Sequence, residues 1–228
     1  MSQRHFQAEL EKLKGSLVAM AGHAERQVKT AVQALLDRDL DKAQDVIDND
    51  AAIDDLELQV DDIAISLLAL QQPMARDLRL ITMAMKISND LERVGDHAVN
   101  IAEAVNYLVE APPFPVLPEI EEMTRVANEM LAQSLDAFIR SDNALARRVV
   151  QMDDRVDELH ENNFRILLTH MMEDPRKITA GMDLLLVSGN LERIADLATN
   201  VSEDVVYLVE GQSIKHHAER SGNPPPAA

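Results

Sequence analysis

Apolar residues recur at steps of three or four along the first half of the chain, which is the spacing of an amphipathic helix. The first such run predicts one long helix, with apolar positions at Phe6, Leu10, Leu13, Leu17, Met20, Ala24, Val28, Ala31 and Leu35. A second helix is expected to begin after Asp39, a residue type favoured at N-caps, and to run to the break at Gln72-Pro73. Pro73 suits the first turn of a third helix, because that position needs no backbone donor.

The third helix carries the most regular pattern of the chain. Its apolar positions alternate steps of four and three and are Leu80, Ala84, Ile87, Leu91, Val94, Ala98, Ile101, Val105 and Leu108. This spacing is typical of a packing seam between helices. Four prolines in residues 111–118 prevent the helix from continuing, since proline lacks a backbone donor and fixes φ. The remaining sequence predicts three further helices at roughly 119–140, 143–172 and 175–216.

The second half of the chain repeats the first. Residues 90–110 and 190–210 are identical at twelve of twenty-one positions, and farther upstream an offset of 103 aligns Asp50 with Asp153. A duplicated three-helix unit explains this self-similarity. We therefore expect an all-α fold of two tandem three-helix bundles related by approximate two-fold symmetry. The expected limits are residues 1–111 and 119–216 for the bundles, 112–118 for a proline-rich linker and 217–228 for a disordered tail.

Composition narrows the classes of function. With 40 acidic and 22 basic residues the formal charge is −18, which disfavours nucleic acid and anionic membrane surfaces as partners. The absence of cysteine excludes disulfides and thiolate metal sites. The start, MSQRHFQAELEKLKG, lacks the apolar region of a secretory signal, and no stretch approaches about 20 apolar residues, so we expect a soluble, cytoplasmic protein. Six methionines are expected to fill the core: Met74, Met83, Met85, Met171, Met172 and Met182.

Two pairs of acidic residues spaced four apart recur in both units. They are Asp50/Asp54 and Glu92/Asp96 in the first unit, and Asp153/Asp157 and Glu192/Asp196 in the second. The spacing puts both carboxylates of a pair on one helix face, with Cβ atoms about 5–6 Å apart, where like charges destabilise an isolated helix. If the second and third helices of a unit pack antiparallel, their pairs can meet at an exterior groove, where a cation would relieve the repulsion. An all-oxygen donor set suits Mg²⁺, Mn²⁺, Ca²⁺ or iron rather than structural zinc.

Two other interpretations stay open. The pairs are compatible with a solvated surface on a structural helical adaptor, where Arg93 and Arg193 form ordinary ion pairs. Clustered carboxylates also occur in metal-dependent enzymes of di-iron or phosphohydrolase type, and Asp157-x-x-His160 resembles the Glu-x-x-His of di-iron bundles. The chain has no glycine-rich phosphate loop, G-x-S-x-G elbow or H-E-x-x-H, so no catalytic residue is assigned. His97 could reach a metal, but an exposed structural histidine is the simpler interpretation.

Four segments resemble the PhoU family, accessory regulators of bacterial phosphate uptake. They are residues 76–79 (RDLR), 86–103 (KISNDLERVGDHAVNIAE), 190–200 (NLERIADLATN) and 207–211 (YLVEG). The doubled Glu-Arg-x-x-Asp signature is specific, and the resemblance covers almost the whole chain. The second copy of the repeat differs from the first at two of these positions, where Leu197 replaces His97 and Ala195 replaces Gly95. If the histidine contributes to a site, the two sites should differ in affinity or nuclearity.

The resemblance implies a fold, a role and partners. It implies two three-helix bundles and a non-enzymatic role in restraining phosphate uptake and phosphate-starvation signalling. The implied partners are the phosphate ABC transporter, especially its ATPase subunits, and the PhoR sensor kinase, without nucleic acid or membrane insertion. It also implies that divalent ions or clusters of Mg, Mn or Fe bind at Asp50, Asp54, Glu92, Asp96, Asp153, Asp157, Glu192 and Asp196. The long amphipathic helices further favour a homodimer.

Overall fold

The computed structural model describes residues 2–111, 114 and 118–211, and all regular structure in those residues is helical. In this part of the chain seven α-helices follow one another, with a short 3₁₀ turn before the last. They are α1 Ser2–Asp37, α2 Leu40–Asp48, α3 Ala51–Gln71, α4 Arg76–Leu108, α5 Pro118–Arg140, α6 Asn143–Glu173 and, after the turn Pro175–Lys177, α7 Ile178–Glu210. The predicted all-α class is confirmed.

The second helix of the first unit is interrupted at Asn49 and Asp50, so the prediction of one continuous helix was wrong. The side-chain amide of Asn49 donates to the Asp45 carbonyl at 2.7 Å and competes with the backbone bonds that would continue the helix. Asp50 therefore lies just ahead of α3, whose N-terminus favours negative charge, instead of in mid-helix. In the second unit α6 runs unbroken through the equivalent Asp153.

The loops that start the second helix of each unit share one geometry. Arg38 and Ser141 adopt positive φ values of 55° and 54°. The next residues, Asp39 and Asp142, each accept a hydrogen bond of 3.0 Å from the backbone amide three residues on. Both are therefore N-caps, which confirms the prediction for Asp39. The duplication extends to the backbone conformation of the loops.

The third helix of the first unit begins later than the sequence predicts. Pro73 lies in a turn before α4 instead of in its first helical turn. Gln72 and Ala75, on either side of that turn, have positive φ values of 46° and 47°, which are not helical. A residue before proline is disfavoured in the helical region, so the chain leaves the helix at Gln72. In the second unit Pro175 instead opens the 3₁₀ turn that leads into α7.

The far end of α7 is set by a glycine. Gly211 takes a φ of 73° and donates its amide to the Tyr207 carbonyl, which is a left-handed C-cap. The predicted helical residues 212–216 and the predicted tail at 217–228 lie outside the described residues. So does the predicted linker at 112–118, apart from Phe114 and Pro118.

Each unit packs as a three-helix bundle. In the first, α1 and α4 pack on each other and on the α2–α3 segment, and in the second α5, α6 and α7 pack together. The apolar stripes face inward, and Leu13, Leu17, Ile87 and Ile101 are fully shielded from solvent. Burying one such side chain stabilises the fold by about 1.5–3 kcal/mol. None of the helices in the described ranges combines the length and apolarity needed to cross a bilayer.

Three of the six methionines predicted for the core lie on the surface. Met74, Met172 and Met182 are exposed, whereas Met83 is buried. The exposed three lie in or near the turn that joins the second and third helices of a unit. At that turn the helices reverse direction at the end of the bundle, which leaves side chains uncovered.

The two bundles join through equivalent helices. Helix α4 packs against α7 and α1 against α5, which is the pairing that a two-fold axis produces. Lys86 on α4 contacts Asp204 on α7, and His97 Nδ1 lies 3.0 Å from Asn190 Oδ1. Residue numbers therefore rise along α4 as they fall along α7, so these two helices are antiparallel. The predicted two-fold relation is confirmed, and the α3–α4 and α6–α7 turns lie at opposite ends of the molecule.

Candidate metal centres

Both acidic pairs of the first unit face the same groove between α3 and α4. Asp50 lies just before α3 and Asp54 in its first turn, while Glu92 and Asp96 lie one turn apart on α4. Burial raises the pKa of Asp50, and the charges of Asp54 and Asp96 raise it further. Burial likewise raises the pKa of Glu92, with added repulsion from Asp96, Asp54 and Asp50. We call this set of four carboxylates the first groove.

The second unit builds the same arrangement between α6 and α7. Burial raises the pKa of Asp153 to about 6, with repulsion from Asp196 and Asp157. Burial also raises the pKa of Asp196, with repulsion from Glu192 and Asp157, although Arg193 opposes it. We call Asp153, Asp157, Glu192 and Asp196 the second groove. The structure thus brings together, in two sets of four, all eight residues singled out in the sequence.

The grooves open to solvent. In all four pairs the first residue is partly buried and the second is exposed. The carboxylates therefore lie on the outside of the bundles, unlike the inward-facing ligands of di-iron bundles. Among the described residues none of the eight forms an ion pair within 4.0 Å, and Arg93 contacts Asp90 at 3.6 Å instead. The like charges of the first groove are not relieved by the neighbouring arginine.

Glu57 is a further acidic residue beside the first groove. Burial raises the pKa of Glu57, helped by Asp61 and Asp54, and the charge of Glu57 in turn raises the pKa of Glu92. The sequence did carry a signal for it, because acids follow Asp50 along one face of α3 at steps of four, three and four. Glu57 and Asp61 are spaced four apart like the other pairs, but the second unit has His160 at the position related to Glu57, so the repeat does not single this pair out.

The floor of the first groove is formed by α1, and sequence reasoning missed it. Gln27 is only 4% exposed, and neither atom of its amide makes a hydrogen bond with a described residue. It faces Asp50 closely enough to lower the pKa of that carboxyl group, yet the pair does not complete a hydrogen bond of normal geometry. His23, one turn earlier, lies 3.3 Å from the Asn49 carbonyl and also lowers the pKa of Asp50. The available signal was a glutamine on the apolar face of the first helix.

His97 is turned toward the other bundle and is not an exposed surface histidine. Its Nδ1 lies 3.0 Å from Asn190 Oδ1 on α7, and the ring is partly buried. Burial lowers the pKa of His97, while the contact with Asn190 raises it. The hydrogen-bonding contact of His97 therefore crosses the α4–α7 interface. In the second unit Leu197 occupies the equivalent position and cannot make such a contact.

His160 occupies the position in the second unit that Glu57 has in the first, by the same offset of 103. Its Nδ1 lies 2.9 Å from Ser188 Oγ on α7, and the buried Asn163 donates to the same hydroxyl at 3.1 Å. One ring nitrogen is thus held against α7. The two grooves differ here, because a carboxylate lies beside the first and an imidazole beside the second.

The carboxylate oxygens of the two grooves are ligands of the type that a hard cation prefers, but the side chains are not yet close enough to coordinate one. Within the described ranges no three acidic or histidine side chains lie close enough together, as placed, to hold a metal ion. Binding requires the exposed aspartates to change rotamer, which solvent-facing side chains do readily. The Oδ1 atom of Asp50 is buried and accepts no hydrogen bond of normal geometry from a described residue. A buried acceptor without a partner beside repelling carboxylates is the observation that fits a cation.

Comparison with known proteins adds a sequence relationship. Residues 17–105 and 120–205 each match the family described as the PhoU domain. A phosphate-specific transport system accessory protein PhoU homolog of Pseudomonas aeruginosa is 40% identical over 214 residues, which cover 93% of this chain and 88% of that protein. A homolog of the same description from Aquifex aeolicus is 41% identical over 215 residues, covering 94% and 97%.

Solved structures agree with this relationship. The crystal structure of PhoU from Pseudomonas aeruginosa matches with a TM-score of 0.86 at 41% identity, covering 91% of this chain and all of that one. The phosphate transport system regulatory protein PhoU from Streptococcus pneumoniae matches with a TM-score of 0.85 at 30% identity, covering 92% and 99%.

Proposed function

The chain belongs to the PhoU family, and on this premise we propose that it is a non-enzymatic regulator of phosphate transport. The observation that carries the proposal is the match of both units, at 40–41% identity over more than nine tenths of the chain, to proteins named for the phosphate-specific transport system. In this role the protein restrains phosphate uptake and phosphate-starvation signalling when phosphate is plentiful.

The proposal includes divalent cations, of the Mg, Mn or Fe type, at the two grooves. Its support is the crowding of four carboxylates on each groove, none of which has an ion pair among the described residues. A bound cation neutralises this charge and ties the second helix of a unit to its third. Four or more carboxylates on a groove also leave room for more than one ion.

We further propose that the ATPase subunit of the phosphate ABC transporter docks on the turn between α3 and α4. Leu70, Met74 and Leu78 are exposed there by 76%, 82% and 42%. Arg76 and Arg79 lie among them, and neither forms an ion pair with a described residue, although Arg76 approaches the Ser141 hydroxyl at 3.5 Å. We call these five residues the α3–α4 end surface.

Charge is the reason that we place the docking site at the α3–α4 end surface and not at the opposite end of the molecule. Arg76 and Arg79, which form no ion pair with a described residue, place positive charge beside exposed apolar side chains in a chain of net charge −18, and this combination suits an acidic partner with an apolar centre. They also line a pocket of about 250 Å³ with Ser141, Leu208 and Val209. At the opposite end Arg176 is held by Asp174 through two hydrogen bonds of 3.0 Å, so its charge is already compensated.

The test is association of the purified full chain with the detergent-solubilised phosphate transporter under phosphate-rich conditions. The double variant R76E/R79E should weaken association about tenfold or more, since it reverses the charge of the surface. The matched control R176E, at the opposite end, should change it less than twofold. Failure of the wild-type chain to associate with the transporter would contradict the docking proposal, and failure to bind the PhoR-type kinase as well would contradict both partners implied by the family.

A cell-based measurement tests the role itself. Cells lacking this chain should take up more radiolabelled phosphate in phosphate-rich medium, and the wild-type chain should restore the lower rate. Unchanged uptake would count against a restraining role. Hydrolysis of phosphoesters by the metal-loaded protein would favour the enzyme interpretation instead.

A further inference from the structure

Gln27 is a buried polar side chain whose amide lies near Asp50 without completing a hydrogen bond of normal geometry. It lies on the inner face of α1, between the fully buried Ala24 and Val28, and is 4% exposed. Neither Nε2 nor Oε1 makes a hydrogen bond within the ranges that the structure describes. Burying an amide without hydrogen bonds is costly, so such groups in native proteins usually meet a water, an ion or a ligand.

The amide of Gln27 faces the first groove from below. It lies close enough to Asp50 to lower the pKa of that carboxyl group, whose Oδ1 is also buried without a hydrogen bond of normal geometry. Its Oε1 also lies against α4, where a Cβ added at Gly95 would come within 3.3 Å of it. Gly95 is followed directly by Asp96. The amide of Gln27 therefore lies between Asp50 and the α4 backbone at Gly95.

The second groove has no equivalent floor. By the offset of 103, Met130 replaces Gln27 and Val126 replaces His23. Both replacements are buried and apolar. The polar floor is therefore a property of the first unit alone, and the bundle fold does not require it.

We propose that Gln27 is a neutral ligand of the cation in the first groove, with its amide oxygen binding the ion and its amide nitrogen orienting Asp50. Amide carbonyl oxygens are ordinary ligands of Ca²⁺, Mg²⁺ and Mn²⁺. A neutral donor adds coordination without adding charge to a groove that is already crowded with carboxylates. The first groove consequently binds divalent ions more tightly than the second. This inference rests on the proposed cation binding by the grooves.

The test isolates the first groove. In a background of E192A/D196A, which removes one pair of the second groove, Mn²⁺ binding is measured by calorimetry with and without Q27M. Q27M copies the residue of the second unit, and we expect it to weaken binding by about tenfold or more. The matched control is M130Q in the same background, which should leave the affinity within twofold.

A second readout excludes a merely structural role. In the E192A/D196A protein, Mg²⁺ should shift the side-chain amide resonances of Gln27 in NMR spectra. Thermal unfolding of the metal-free Q27M protein should show no loss of stability, because an apolar side chain replaces an unpaired amide. Mn²⁺ binding that Q27M leaves unchanged, or Gln27 resonances that Mg²⁺ leaves unshifted, would overturn the role of Gln27 alone. A wild-type chain that binds no Mn²⁺ would overturn cation binding by the grooves, and this inference with it.

Discussion

The ammonium group of Lys86 on α4 contacts the carboxylate of Asp204 on α7, across the interface between the two bundles. Asp204 is buried, whereas the side chain of Lys86 is about half exposed. The positions related to these by the repeat hold Leu186 and Ala104. One half of the interface therefore has an ion pair where the other half has apolar residues, and the two bundles have diverged at the surface that joins them.

Removing Lys86 should destabilise the fold. K86L removes the ammonium group that contacts the buried Asp204 carboxylate, and we expect the free energy of unfolding to fall by about 1–3 kcal/mol. The double variant K86L/D204A copies the residues of the related positions and should recover most of that loss. Urea unfolding of the three proteins at pH 7 measures both effects. A double variant no more stable than K86L would contradict the assignment.

The acid pairs predict the stoichiometry of cation binding. E92A/D96A removes half of the carboxylates of the first groove and should abolish its Mn²⁺ binding while leaving the second groove occupied. The control is D154A/E158A, an exposed i,i+4 acid pair on α6 that lies outside the eight groove residues. Elemental analysis after dialysis against Mn²⁺ counts the bound ions. Equal metal content in wild type, control and E92A/D96A would contradict the prediction.

Asp153 should make stability depend on pH. Burial, with Asp196 and Asp157, raises its pKa to about 6 from an ordinary value of 3.8. The folded state therefore holds the proton more tightly than the unfolded state, so stability falls as the pH rises through this window and stays lower above it. In metal-free protein D153N should raise the free energy of unfolding at pH 7 by about 1 kcal/mol, allowing for solvent screening.

Urea unfolding in EDTA between pH 4 and pH 7 measures this dependence. D153N should flatten the slope, whereas the exposed neighbour variant D154N should retain it. Identical slopes for wild type and D153N would show that Asp153 ionises normally.

Gly95 and Ile53 are complementary in size. A Cβ at position 95 would lie 3.1 Å from Ile53 Cγ2, which is closer than ordinary contact. The second unit has Ala195 and Val156 at these positions, so a larger residue on one helix meets a smaller one on the other. G95A should therefore be better tolerated in combination with I53V than alone, with a coupling energy of about 1 kcal/mol. A double-mutant cycle by urea unfolding measures it, and additive effects would contradict the packing account.

The elements of the fold could largely be predicted from local pattern. Helix periodicity, the Asp39 cap and the repeat of residues 90–110 each depend on residues a few positions apart or on comparison within the chain. Where the prediction failed, at the break beside Asn49 and the turn at Pro73, a local competitor outweighed the periodic pattern. A side-chain hydrogen bond to the backbone interrupts the helix at Asn49, and positive φ values on both sides of Pro73 delay α4.

The features of the candidate sites likewise include some that local sequence pattern predicts and others that depend on how the helices pack. The sequence by itself determined the two bundles, the eight paired carboxylates and the family, because these depend on spacing along the helices and on matching residues. Only the tertiary structure decided that Gln27 lies beneath Asp50, that His97 faces Asn190 and that Lys86 contacts Asp204. These contacts join residues far apart in the chain, and their partners depend on how the helices rotate and pack, which no periodic pattern specifies.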